Sequence, residues 1–296
     1  MHCDMDKKFG ILIDDTLSEK TVKELLHRNG VSSTLMTELK ESEDGILLNG
    51  KKVFVNEKVK TGDCLLITLR DKRSDIAPSD IPLLVLYEDE DIIAVNKPRN
   101  MPIHPSQNHH GDTLANALMH YFLGKDFTFR VITRLDKDTS GVVLLAKNPL
   151  SGAILGEAMK SGSIKKEYLA LVNGRMNPEK GEINAPIGRR EKSVILRCVT
   201  PLGKEAVTLY ETLRSNGNYS LVKLLPLTGR THQIRVHLSY MGNPIYGDDL
   251  YGAAQKNERV RLHCSEISFC HPITGEAMTI GAPLMEDMEL FSVDIL

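Results

Sequence analysis

The sequence predicts an α+β fold, with a small module of helices and a hairpin ahead of a larger domain. Strand-like runs at Leu83 to Leu86, Ile92 to Val95, Val142 to Ala146, Tyr168 to Val172 and Val207 to Leu213 mix with two helical segments. Those segments, "GDTLANALMHYF" and "NPLSGAILGEAMKSG", do not alternate with strands in the β-α-β rhythm of a doubly wound sheet. A charged, aperiodic stretch containing Pro78, "DKRSDIAPSD", reads as a linker and divides residues 1–75 from 76–296. With 296 residues, the chain has ample material for one large domain or two unequal ones.

The elements follow in order. In "TLSEKTVKELLHRNG", Thr16 and Glu19 form a T-x-x-E capping signal, Val22, Leu25 and Leu26 form an apolar stripe, and Gly30 ends the helix. "SSTLMTELKES" predicts a second helix. Asn49-Gly50, between apolar runs, predicts a hairpin that completes the module near Arg70. Further on, "LTGRTHQIRVHLSYMG" places Thr231 as the cap of a helix with an inner face of Ile234, His237, Leu238 and Met241, ended by Gly242.

Composition narrows the function classes. No apolar run approaches the roughly 20 residues of a membrane-spanning helix, and the start, "MHCDMDKKFG", lacks a secretory signal's apolar stretch, so a cytoplasmic protein without a membrane partner is expected. Five scattered cysteines predict reduced thiols. A net charge of −2 points to a local basic groove, if any, for a nucleic-acid partner. There is neither a G-x-x-x-x-G-K-[ST] loop for nucleotide phosphates nor a G-x-S-x-G elbow.

"RLDKDTSGVVLLAK" begins like a calcium loop, with Asp136, Asp138 and Ser140. The twelfth position, which should carry a bidentate carboxylate, is Lys147, and "VVLLA" reads as a buried strand. What remains is a turn, shaped by short polar side chains and Gly141, that presents a carboxylate. "LHCSEISFCH" offers four zinc-ligand types, but adjacent residues of a strand point to opposite faces, so His263 and Cys264 cannot both reach one ion; no metal is expected. "HPSQNHH" reads as a polar loop, apart from His104.

Four segments in this order, "LYEDEDIIAVNKPRNMPIHPS", "RLDKDTSG", "KKEYLALVNG" and "LTGRTHQIRVHL", resemble the RluA-type RNA pseudouridine synthases across residues 81–296. More loosely, residues 16–68 resemble the small RNA-binding domain named after ribosomal protein S-four. The resemblance implies a mixed, largely antiparallel sheet with a central catalytic cleft, no cofactor, and isomerisation of uridine in structured RNA. Ribosomal RNA of the large subunit is the first expectation and transfer RNA the second, with the protein acting as a monomer.

Position by position, the resemblance makes Asp136 the catalytic carboxylate, Tyr168 the tyrosine against the target base, and Arg235 the arginine that pairs with the aspartate. Arg134 is the wedge that replaces the flipped base, with His104 and Arg230 as further RNA contacts. These types suit the chemistry. An ionised carboxylate can act at the sugar as nucleophile or base, a guanidinium fork can hold it ionised, and a flat ring can retain the detached uracil. A stacked base must first be flipped out. Two positions depart from the family: Thr133 stands where histidine is common, and Asn100 where glycine is usual, in a turn that Asn tolerates. "GRREKS" and "SIKKEY" are candidate RNA-facing runs. The rival classes are a non-catalytic RNA-binding or assembly factor that keeps the fold, and a glycoside-processing enzyme using Asp136.

Overall fold

The computed structural model describes residues 7–70, 74–125, 127–191, 193–252 and 258–288. Part of the linker (71–73), Lys192 of "GRREKS" and Cys3 lie outside the described residues.

The N-terminal module contains β1 (Lys7–Leu12), α1 (Val22–Arg28), α2 (Ser33–Glu41), β2 (Ile46–Leu48), β3 (Lys51–Lys52) and β4 (Cys64–Leu69), with strand order β1-β4-β2-β3. The NG turn joins β2 to β3, with Asn49 and Gly50 both at positive φ (50° and 77°), as a type I′ hairpin requires. The first capping box lies five residues after the predicted one: Thr21 caps α1 and Glu24 reaches back to the Thr21 N–H at 2.7 Å. Thr16 instead closes a turn on Asp14, and Glu19 sits at φ 63°.

The remaining elements are β5 (Leu84–Glu88), β6 (Ile92–Lys97), α3 (Leu114–Tyr121), β7 (Arg130–Val131), β8 (Ser140–Ala146), α4 (Pro149–Lys160), β9 (Lys165–Asn173), β10 (Lys180–Asn184), β11 (Ile187–Arg189) and β12 (Arg197–Val199). They continue with β13 (Val207–Ser215), β14 (Tyr219–Pro226), α5 (Gln233–Tyr240), β15 (Leu262–Cys270) and β16 (Ala277–Gly281). One large sheet runs β10-β13-β14-β9-β15-β8-β6-β5, with β16 beside β15 and β7 beside β8. Among the described strands, β15 with β8 is the parallel pair in an otherwise antiparallel sheet. The fold is therefore α+β with a mixed, mostly antiparallel sheet. β8 is buried along its whole length, which explains why "SGVVLLA" is a nearly continuous apolar run.

The two parts are packed together. Leu150 of α4 belongs to the buried core of the N-terminal module, with Ala153 and Ile154 beside it, and Lys7 pairs with Asp91. The described part of the linker is tied to α3, since Asn116 donates to the Ala77 carbonyl at 2.7 Å and accepts Thr113 groups through its own carbonyl. Among the described residues, no helix is long and apolar enough to cross a membrane, and Cys64, Cys198, Cys264 and Cys270 are unpaired.

Candidate active site

Asp136 lies on the turn between β7 and β8. Its backbone carbonyl accepts the Thr139 N–H at 3.1 Å, leaving the side chain free of the turn's own closure. Thr133 is buried and its hydroxyl accepts the Leu144 N–H at 2.9 Å, so this position braces β8 and does not face solvent. Gly141, at φ 114°, allows β8 to pass the β15 backbone: a Cβ there would come 2.1 Å from the Cys264 carbonyl oxygen. Ser140 is buried against His263, Oγ to Nδ1 at 2.9 Å.

A second segment holds the turn from below. Lys97, at the end of β6, is fully buried, and its ammonium donates to three carbonyls, those of Pro98 (2.9 Å), Met101 (2.9 Å) and Lys137 (3.1 Å). Asn100, at φ 57°, turns the chain so that the Met101 N–H also reaches the Lys137 carbonyl at 3.2 Å. The "NKPRNM" loop is thus stapled to the "RLDKD" turn. Nothing in the sequence pattern marked Lys97 as part of the site, because its partners are backbone atoms.

These elements open into a cleft of about 630 Å³ whose walls include all six residues singled out from the sequence: His104, Arg134, Asp136, Tyr168, Arg230 and Arg235. Tyr168 lies on β9, buried, at the register position opposite Cys264. Its phenol is pushed well above the usual range by burial, then by the Cys264 and Asp136 charges, so it stays protonated at neutral pH. Arg134 is exposed at the mouth, and His104 sets its ring edge-on to Phe129 with centroids 4.9 Å apart. Arg230 bridges loops by donating from Nε to the Glu205 carbonyl at 2.8 Å.

Arg235 departs from its expected pairing. Its fork grips Asp248, Nε to Oδ2 at 2.8 Å and Nη2 to Oδ1 at 2.7 Å, and not Asp136. The remaining Nη1 faces the turn between β7 and β8, 3.9 Å from Asp138, and Asp136 is close enough to act on it electrostatically. Burial opposes the Arg235 charge, but the Asp248 bond and charge outweigh it and hold the guanidinium above its ordinary value. Tyr251 stacks against the guanidinium, centroid to Cζ at 5.3 Å. Nor does Thr231 cap α5. The cap is His232, in left-handed conformation at φ 56° with no side-chain bond to the helix, and its Nδ1 lies 2.7 Å from the Tyr251 hydroxyl.

The metal readings gain no support from geometry. His263 meets Ser140, whereas Cys270 and His271 lie at the far end of β15, where His271 binds Asp89 at 3.0 Å. Asp89, Asp91 and His271 do gather within ligand distance of one another, a grouping the sequence did not reveal. Three of their four carboxylate oxygens already accept hydrogen bonds: Asp91 Oδ1 from Lys7, Asn148 and Ser151, and both Asp89 oxygens from backbone N–H groups, the Tyr87 hydroxyl and His271. This cluster ties the module and α4 to the sheet.

Comparison with known proteins decides the family. The model of the RNA pseudouridylate synthase family matches residues 91–240, which include the turn, Tyr168 and all of α5. The chain belongs to that family. It is 40% identical over 273 residues to an uncharacterized RNA pseudouridine synthase of Bacillus subtilis, YjbO, covering 90% of this chain and 96% of that one. It is 35% identical to the ribosomal large subunit pseudouridine synthase D of Escherichia coli, covering 84% of this chain and 82% of the other. Among solved structures, human RNA pseudouridylate synthase domain containing 1 superposes with a TM-score of 0.60 at 26% identity, over 73% of this chain and 96% of that chain. The enzyme is an RNA pseudouridine synthase.

In this synthase, Lys97 carries a testable signature. Burial pushes its ammonium down to about 7, against Asp138 and Asp136, which raise it. Between that value and the ordinary 10.5, the unfolded chain holds a proton that the folded chain releases. The resulting penalty is therefore full below about pH 7 and fades as pH rises through the window. The thermal stability of the wild type relative to Lys97→Met is expected to increase from about pH 7 to about pH 10. A difference that stays flat over this range would contradict it.

Proposed function

We propose that this synthase converts uridines of large-subunit ribosomal RNA to pseudouridine, with Asp136 as the reacting carboxylate. The observation that carries the reading is the convergence of residues from separate segments, Asp136, Tyr168, Arg235 and Arg134, on one cleft of about 630 Å³. The E. coli relative named for the large ribosomal subunit supports the choice of RNA by analogy. The N-terminal module, residues 1–75, is proposed to bind the same RNA.

The chemistry follows from the residues. The target nucleotide leaves its stack and enters the cleft, with Arg134 at the mouth to occupy the space it vacates. Asp136 acts at the sugar as nucleophile or base, and the bond from ribose to the ring nitrogen breaks. Arg235, held by Asp248, keeps a positive charge facing the turn. The uracil rotates against Tyr168 and rejoins the sugar through carbon five. That carbon's proton then leaves; a neutral phenol is a poor acceptor for it, so Tyr168 contributes its ring and a water carries the proton.

The test uses a transcript of large-subunit ribosomal RNA with tritium at carbon five of uridine. Release of tritium is the expected result, matched by loss of specific pseudouridines from that RNA in cells lacking the gene. Release from transfer RNA alone would overturn the choice of substrate, and no release from either would overturn the catalytic reading.

A further inference from the structure

Strand β9 gives two side chains to the wall of the catalytic cleft, Lys166 and Tyr168. Two residues apart on a strand, they share one face of the sheet at a spacing of about 7 Å. Lys165 and Glu167 alternate with them: Lys165 is exposed, and Glu167 pairs with Lys223 at 2.6 Å. The two lysines of "SIKKEY" therefore have different surroundings. Lys166 is only partly exposed, shares the wall with Ile132, Met159 and Leu262, and its ammonium is pushed down by burial. Among the described residues it makes no hydrogen bond and no ion pair. The one group acting on its charge is the Cys264 thiol, itself pushed up to about 12 by burial and so neutral at neutral pH.

The other cations of the cleft are committed or peripheral. Asp248 holds the fork of Arg235, the Glu205 carbonyl takes Nε of Arg230, Lys137 lies 3.3 Å from His109, and Arg134 is exposed at the mouth. A partly buried cation without a counter-charge costs stability, which suits a charge that arrives with the substrate. The reaction creates one. When the bond from the ribose to the ring nitrogen breaks, its electron pair leaves with the ring whether Asp136 acts as nucleophile or base, so the detached uracil is an anion with charge on N1, O2 and O4. Turning the ring about its N3–C6 axis, to bring carbon five to the sugar, exchanges O2 with O4. A donor fixed on the wall beside Tyr168 thus meets a carbonyl oxygen before and after the turn, and it acts where negative charge develops.

We propose that Lys166 is a further catalytic residue, whose ammonium donates to a carbonyl oxygen of the uracil lying against Tyr168 and stabilises the charge on the ring after its bond to the ribose breaks. The inference rests on the reaction proposed above, with Asp136 at the sugar. No proton is transferred: Lys166 keeps its own, and the carbon-five proton still leaves through water. The face shared with Tyr168 and the apolar neighbours in the wall favour the base as its partner over a phosphate, for which Arg134 stands exposed at the mouth.

Full-length Lys166→Met and Lys166→Arg are compared with the wild type in tritium release from labelled RNA, in RNA affinity and in melting temperature. Lys166→Met should lower kcat about a hundredfold or more while KM and RNA affinity stay within about threefold, the mark of an interaction made chiefly in the transition state. Lys166→Arg keeps the charge and should stay within about tenfold of the wild-type kcat. Because methionine removes an uncompensated charge, the melting temperature of Lys166→Met should match the wild type or exceed it by up to about 4 °C, whereas a merely structural lysine would lower it. A loss confined to KM and affinity would assign Lys166 to a phosphate and overturn the inference. An unchanged kcat, a Lys166→Arg as slow as Lys166→Met, or a lowered melting temperature would overturn it too. Each of these leaves release by the wild type, and the catalytic reading with it, standing; a wild type that releases no tritium overturns both.

Discussion

Asp136→Asn is expected to lower tritium release from labelled RNA by at least about a thousandfold, because an amide offers neither a nucleophilic oxygen nor a base at the sugar. Folding should be nearly untouched. The turn is closed by the Asp136 carbonyl, braced by Thr133 and stapled by Lys97, and none of these bonds uses the Asp136 side chain. The melting temperature should therefore stay within about 2 °C of the wild type, and RNA affinity within about threefold. Asp138→Asn is the informative contrast. Asp138 faces Nη1 of Arg235 at 3.9 Å and its side chain is 39% exposed, so its loss removes a weak, partly screened attraction. A drop of about tenfold or less is expected there. Equal losses in the two variants, or full activity in Asp136→Asn, would remove Asp136 from the reacting position.

Much of this site was legible because its chemistry is carried by short, dense motifs. The turn could be told from a calcium loop by Lys147 alone, and Lys147 indeed binds Glu88 and the Asp89 carbonyl, far from any ligand role. The apolar stripe of α5 was legible for the same reason, since its period is local. What stayed hidden depends on pairing across the chain. Two T-x-x-E matches overlap the same stretch, and only the folded position of Val22, whose N–H bonds the Glu57 carbonyl at 2.9 Å, selects Thr21 over Thr16. β1 is short, and its partner β4 lies more than fifty residues away, so no local pattern announces it. Thr231 looked like a cap because caps are polar, yet His232 takes the left-handed position, where its ring reaches Tyr251. Lys97 and Asp248 were missed because one bonds only carbonyls and the other sits in an aperiodic loop.

Asp248 is where that hidden pairing has its largest expected effect. Its side chain is fully buried and serves four donors: Oδ2 takes Arg235 Nε, while Oδ1 takes Nη2 and the N–H groups of Leu250 and Tyr251. Gly247, at φ 75°, allows the chain to deliver it, since a Cβ there would strike the Arg259 carbonyl oxygen at 2.0 Å. Asp248→Ala takes the bidentate partner from Arg235, which is 1% exposed, and leaves it only Asp138 and Asp249, each 3.9 Å away, a change that costs up to about 3–5 kcal/mol. At about 2–4 °C per kcal/mol for a chain of this size, the melting temperature should fall by roughly 6–20 °C. Arg235→Met alone should destabilise comparably, because it strands the buried carboxylate. Combining Arg235→Met with Asp248→Asn removes both charges and keeps an acceptor for the two backbone N–H groups, so most of the lost stability should return. Turnover should not return, because the Arg235 charge then no longer faces the Asp136 turn. Recovery of tritium release in the double variant would make the Arg235–Asp248 pair scaffold alone. Recovery of stability without turnover separates two roles of Arg235, one in holding the loop of Asp248 and one in facing the Asp136 turn.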